Sequence, residues 1–131
     1  MRNLSIYFCK IAFQILFIFP FLDNMYHKMG FVLPPLGIGY IASVLKNKGF
    51  DVDILDLNIS EDKDPANIPY TDYDIIAISS DTTKFYKSLE IAKIAKENKR
   101  IVIFGGPHAS FMDKEIFETG YCDIVVRGEG E

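Results

Sequence analysis

Arg100-Ile-Val-Ile-Phe104 runs straight into Gly105-Gly106-Pro107-His108, and this stretch decides the fold. Four consecutive apolar residues rich in β-branching describe a strand buried on both faces, as in a parallel sheet. The two glycines that stop it expose backbone. Asp74-Ile-Ile-Ala-Ile78 runs in the same way into Ser79-Ser80-Asp81-Thr82-Thr83, and Cys122-Asp-Ile-Val-Val126 into Arg127-Gly128-Glu129-Gly130-Glu131. In an open parallel sheet such loops collect at the carboxyl edge, where ligands bind.

Working outward, residues 1–11 form an arm and residues 12–131 a single domain. A first strand covers residues 12–19 and stops at Pro20. A long connection, residues 21–33, follows. Pro34-Pro35 opens a helix over residues 36–48, on which Ile38, Ile41, Ala42 and Leu45 make one apolar stripe. Gly49 is its expected C-terminal stop. Strand two, residues 52–57, is interrupted by Asp53 and Asp56 and follows Asp51, so it belongs at a half-exposed edge. Residues 58–70 read as a surface loop with room for a short helical turn. Strand three (73–79), a helix (83–98), strand four (100–104), a short helix (114–119) and strand five (122–126) complete the chain. This alternation implies a parallel sheet with right-handed crossovers. The sequence ends a few residues after strand five, so the domain is expected to be cut from a longer protein.

Composition narrows the function. The 131 residues are 49% hydrophobic and 24% charged with net charge −4, which suits one globular domain and argues against a nucleic-acid partner. Two cysteines, Cys9 and Cys122, form no metal-binding spacing and no disulfide framework, consistent with a reducing cytoplasm. The apolar run over residues 11–22 invites comparison with a signal peptide. It is too short to span a membrane, contains Gln14 and Pro20, and is followed by no small-residue cleavage site, so a buried strand explains it better.

Gly37-Ile38-Gly39-Tyr40-Ile41-Ala42 matches G-x-G-x-x-A, with Asp56 nineteen residues beyond Gly37. A dinucleotide fingerprint needs its first glycine directly after strand one. Here a long loop intervenes, and close packing of the helix, against a neighbour or a ligand, is the better reading. A phosphoacceptor receiver domain fails too, because strand one ends in Pro20-Phe21-Leu22, strand three in Ser79-Ser80 and strand five in Arg127. Asp81 or Thr82 reads as a helix cap, a role compatible with ligand binding. His108 is a candidate ligand or hydrogen-bonding group, though a lone histidine is more often structural.

Taken together, Pro34-Pro35-Leu36-Gly37-Ile38-Gly39-Tyr40-Ile41-Ala42, Gly49-Phe50-Asp51-Val52 leading to Asp56, Ile78-Ser79-Ser80, Gly105-Gly106-Pro107-His108-Ala109-Ser110 and Val126-Arg127-Gly128-Glu129-Gly130-Glu131 resemble the N-terminal cobalamin-binding domain of B12-dependent radical SAM enzymes. The resemblance implies a flavodoxin-like, Rossmann-like three-layer α/β/α fold with a five-stranded parallel sheet in order 2-1-3-4-5. It implies that cobalamin crosses the carboxyl edge. Ser79, Ser80, Asp81 and Thr82 would face the corrin and its tail, Gly105 and Gly106 would let the tail pass close to strand four, and Pro107 and His108 would belong to the same cofactor site. Gly128 and Glu129 would border the pocket, and Pro35, Leu36, Gly37 and Ile38 would form the rim beside strand one. No Asp-x-His-x-x-Gly follows strand one, so cobalt is expected to lack a protein histidine. The resemblance places S-adenosylmethionine and a [4Fe-4S] cluster in a radical SAM domain that this chain does not contain, so the chain alone catalyses nothing. Its partners would be the corrinoid and that domain, with neither nucleic acid nor membrane. The competing expectation is a ligand-free interaction domain of the same fold, self-associating through the apolar N-terminal segment.

Overall fold

A computed structural model of the chain describes residues 13–22 and 25–128. The expected arm at residues 1–11, Cys9 and Glu129 lie outside the described residues. Five parallel strands, β1 (Gln14–Phe19), β2 (Asp51–Asp56), β3 (Ile75–Ser79), β4 (Ile101–Gly105) and β5 (Ile124–Val125), form one sheet in the order β2-β1-β3-β4-β5. This is the expected flavodoxin-like order. β2 takes the edge, as its aspartates foretold.

The sheet's pleat sorts side chains onto two faces. Leu16, Ile18, Ile76, Ile78, Val102 and Phe104 pack with Phe85, Ile91, Ala92 and Ala95 of α3 (Phe85–Glu97), and with Ala109 and Ile116. Ile15, Val52 and Ala77 pack on the other face against Ala42 of α2 (Leu36–Asn47). Helices therefore cover both faces, giving three layers. Cover on the α2 side is thinner: Ile101 and Ile124 remain 40% and 47% exposed.

Several boundaries differ from the sequence reading. Pro35 lies just outside α2 rather than in its first turn. The connection after β1 contains a short helix, α1 (Met25–Lys28). The loop after β2 contains the short helical turn expected of it, a 3₁₀ turn at Pro65–Asn67 capped by Asp64, whose carboxylate accepts the Ala66 N–H at 2.9 Å, and a second 3₁₀ turn at Tyr70–Asp72 extends past the expected end of the loop. Between β4 and β5 lie two short helices, α4 (Pro107–Phe111) and α5 (Asp113–Glu118), where the sequence reading placed one. β5 keeps only two paired residues.

Gly49 ends α2 at φ +89°, with its N–H donating to Lys46 O and the Phe50 N–H to Leu45 O. That is a Schellman close. α3 ends in the same way without a glycine. Lys99 takes φ +59°, its N–H donates to Lys96 O, and the Arg100 N–H donates to Ala95 O. Gly37 and Gly39 correct one half of the packing argument, since they pack closely against no neighbour within the chain. Both lie inside α2, and a Cβ on either would meet nothing within 4 Å.

Candidate functional site at the carboxyl edge

β3 ends at Ser79, and the chain turns at once. Ser80 is fully buried, its N–H donates to Gly105 O (2.9 Å), and its carbonyl accepts the His108 N–H (3.2 Å). The Ser80 hydroxyl donates to Asp81 O (3.2 Å) and lies 3.0 Å from the buried Ser88 hydroxyl of α3. A buried polar side chain must find partners, and this pair supplies them. Ser80 therefore turns inward and shapes the loop, while Ser79 is half-buried and Thr82 is exposed.

Asp81 caps the 3₁₀ turn Thr82–Lys84 that leads into α3. Its Oδ1 accepts from the N–H groups of Thr83 and Lys84, each at 3.0 Å, and from the Thr83 hydroxyl. Burial pushes the Asp81 carboxyl up. The bonds from Thr83 and Lys84 and the Lys84 charge outweigh that and leave it below its ordinary value. Lys84, only 9% exposed, holds its ammonium 3.6 Å from Asp81 Oδ2 and 3.7 Å from the centroid of the Phe19 ring at the end of β1.

β4 delivers the glycines beside this turn. Gly106 sits at φ +94°, and a Cβ there would fall 2.8 Å from Ser80 O and 3.2 Å from Ser79 Oγ. Its missing side chain is used by the chain itself, to let β4 close on the end of β3. Gly105 is different, because a Cβ there would meet open space. Pro107 starts α4 and His108 turns inward. The His108 ring lies 4.1 Å from the Phe85 ring between centroids, and its Nδ1 is 3.2 Å from Thr82 Oγ1. Its Nε2 is buried without a hydrogen-bond partner among the described residues.

A relay fastens β5 to the same edge. The Ser110 hydroxyl donates to Gly106 O (3.2 Å) and accepts the Gly128 N–H (2.9 Å), and Arg127 reaches Asp113 at 3.5 Å. Gly128 takes φ +72°.

The structure thus brings together Ser79, Ser80, Asp81, Thr82, Gly105, Gly106, Pro107, His108 and Gly128. Pro35, Leu36, Gly37 and Ile38 stand at the start of α2, which follows β1 and so begins at the same edge. Leu36 is exposed and Ile38 is buried in the core. Sequence reasoning passed over Lys84 and Ser88, and it quoted Ser110 within a motif without giving it a role. Ser88 was visible, since it falls on the helical stripe Phe85, Ser88, Ala92, Ala95 that faces the sheet. Ser110 gave no such signal, because its role depends on Gly128, eighteen residues on. Among the described residues no group of three or more His, Cys, Asp or Glu is gathered as a metal site, and no helix is long and apolar enough to cross a membrane.

Comparison with known proteins identifies the family and the fold. The model of the B12 binding domain matches residues 25–131. An uncharacterized methyltransferase of Pyrococcus horikoshii is 39% identical over 105 residues, covering 75% of this chain and 22% of that protein. The anaerobic magnesium-protoporphyrin IX monomethyl ester cyclase of Rubrivivax gelatinosus is 35% identical over 129 residues, covering 90% and 22%. The hopanoid C-3 methylase of Methylococcus capsulatus is 30% identical over 113 residues, covering 82% and 22%. The chain therefore spans about a fifth of the length of these relatives. Among solved structures, the N-terminal domain of a hypothetical protein from Thermotoga maritima superposes with a TM-score of 0.53 at 21% identity, over 77% of this chain and 85% of that one, and supports the fold.

Proposed function

Because the chain belongs to the B12-binding domain family, we propose that it holds a cobalamin across the carboxyl edge of its sheet and presents it to a catalytic domain elsewhere in a longer protein. The observation that carries this reading is the convergence of the β3, β4 and β5 ends, tied by Ser80–Gly105, Ser80–His108 and Gly106–Ser110–Gly128 hydrogen bonds, around a Gly105 whose Cβ position is open. The residues fit the group. Ser79 and Thr82 offer hydroxyls beside that opening, Gly105 allows close approach to backbone, and His108 Nε2 awaits a partner. Gly106, Ser80 and Asp81 build the loop rather than face the ligand.

A bound corrinoid would supply the carbon–cobalt chemistry, and this chain would bind, orient and shield it. In this reading cobalt takes no protein imidazole. The relatives are named as methyltransferases and a cyclase, which supports a parent of the radical SAM type carrying S-adenosylmethionine and an iron–sulfur cluster in its own domain. The test is retention. Protein mixed with hydroxocobalamin without oxygen and then desalted should keep a corrinoid absorbance in proportion to protein. Complete loss of colour at protein concentrations well above micromolar would reject the reading.

A further inference from the structure

The α2 face of the sheet is covered over one half only. Strand register puts Ile75, Ala77, Ile101, Ile103 and Ile124 on that face, since Ile75 pairs with Ile101, Ala77 with Ile103, and Ile103 with Ile124. Alternation along β1 adds Phe13, two residues before Ile15. α2 rests on Ile15 and Val52 of β1 and β2. Beyond it Phe13, Ile101 and Ile124 stay 45%, 40% and 47% exposed. At the top of the same row of β4, a Cβ on Gly105 would meet open space. Gly39 and Ser43 line the flank of α2 that faces β2. Ile41 lies about 200° around the helix from both, so it and Val44, each half-buried, belong to the opposite flank. The result is an apolar lane, floored by β3, β4 and β5 and walled on one side by α2.

Handedness explains why no described helix fills this lane. A right-handed connection from β1 to β2 lays α2 on this face, whereas the connections from β3 to β4 and from β4 to β5 run the other way and lay their helices on the opposite face. Parallel sheets occur almost only with both faces covered. The relatives have the chain to cover it, because this sequence spans 22% of their length. β5 borders the lane, and the chain leaves β5 at the carboxyl edge, where the Gly128 N–H is held by Ser110. A helix returning from there lies antiparallel to the strands, as α2 and α3 do. The five residues of β4 rise about 17 Å, the length of about 11 helical residues. We propose that the lane is the seat of an amphipathic helix that follows β5 in the longer protein, its apolar stripe resting on Ile101, Ile103 and Ile124 beside the Ile41–Val44 flank. The proposal rests on the longer protein of the preceding reading and not on the corrinoid.

The test is photo-cross-linking in the longer protein, with p-benzoylphenylalanine in place of Ile124 or, across the lane, of Phe13. Both positions should join to a segment within about 30 residues after β5, the size of one strand–helix unit. The joined residues should recur at helical spacings of three and four. Ile101→Lys puts an unpaired charge on the floor of the lane and should cut the cross-link yield about tenfold. In this chain alone the same substitution falls on exposed surface, so Tm should move by less than about 4 °C, which separates loss of the helix from loss of the fold. Should Ile101→Lys melt this chain, Ile124→Lys takes its place with the probe at Phe13. A cross-link to residues 1–12, to a second copy or to a distant part of the longer protein would overturn the proposal. So would no cross-link, or a yield that the lysine leaves unchanged. None of these readouts needs a corrinoid, so their failure is distinct from failure of the retention test.

Discussion

Gly105 and Gly106 are neighbours in sequence and meet different demands. Gly106 has φ +94° and ψ −177°, a region open essentially to glycine alone, and its Cβ position lies 2.8 Å from the Ser80 carbonyl. Gly106→Ala should cost about 2 kcal/mol of stability, combining backbone strain with a forced shift of the β3 turn. Urea unfolding would register this as a lowered midpoint, and an unchanged midpoint would contradict the contact. Gly105→Ala adds a methyl to open space, so stability should stay within about 0.5 kcal/mol. Its effect belongs to the ligand, and hydroxocobalamin affinity should drop while the urea midpoint holds. The glycine pair was legible as exposed backbone. Which glycine serves the fold was not, because that depends on a carbonyl twenty-six residues earlier in the chain. Lys84 was hidden for a related reason: a lysine before a helix looks like a solvated residue until Phe19 is seen to lie under it.

Among the elements, the end of α3 offers a clean case. α2 and α3 close with the same pair of backbone bonds, but Lys99 occupies the left-handed position that Gly49 fills in α2. A side chain in that region costs about 1–2 kcal/mol, and glycine's freer unfolded chain gives back about 0.4–1 kcal/mol. Lys99→Gly should therefore stabilise by roughly 0.5 kcal/mol net, seen as a small rise in Tm, and a fall in Tm would contradict it. The junction of β4 and β5 depends on charge. Asp123 accepts the Val102 N–H at 2.8 Å and both of its oxygens lie within 2.9 Å of the Lys96 ammonium. Burial raises its pKa, but Lys96 and the Val102 N–H outweigh burial and lower it. A depressed carboxyl stabilises above its unfolded value near about 3.9 and loses that contribution as pH falls through the folded value. Tm should thus fall on acidification below about pH 4, with Asp81 contributing in the same sense. Asp123→Asn should flatten that slope, and an unchanged slope would show the pair to be idle. Long periodic helices and apolar strands were legible because each carries its own pattern. α4 was not, although Pro107 is a proper helix opener, because five residues give no periodicity. The two-residue β5 was overdrawn for the same reason, since Cys122 and Asp123 look like strand and instead serve as its approach.

At the scale of the molecule, topology was legible because alternation of strand and helix leaves few ways to wind a parallel sheet, and the aspartates of β2 fixed which strand stands at the edge. The site was legible as a place more than as a set of contacts. Strand ends named the rim, while several of the contacts that hold it together reach far along the chain, His108 to Thr82 across twenty-six residues and Lys84 to Phe19 across sixty-five. Two places now compete for a ligand. One is the carboxyl edge around Gly105. The other is a depression of about 350 Å³ between α2 and β2, lined by Gly39, Ala42, Ser43, Lys46, Asn47, Val52 and Ile54. The second has no strand end, no helix start and no under-satisfied buried donor, so the first should take the corrinoid. Hydrogen exchange can decide between them. Hydroxocobalamin should slow exchange at residues 79–84, 105–110 and 128, with little change at residues 39–54. At a hundredfold excess over Kd it should add about 2.7 kcal/mol to the folded state and raise Tm accordingly. Protection confined to α2 and β2 would move the site to the depression. No protection and no rise in Tm, together with dimerisation that grows with protein concentration, would favour the ligand-free interaction domain. Exposed Met25, Met29, Phe31, Leu33 and Leu36 would then supply a surface for a second copy.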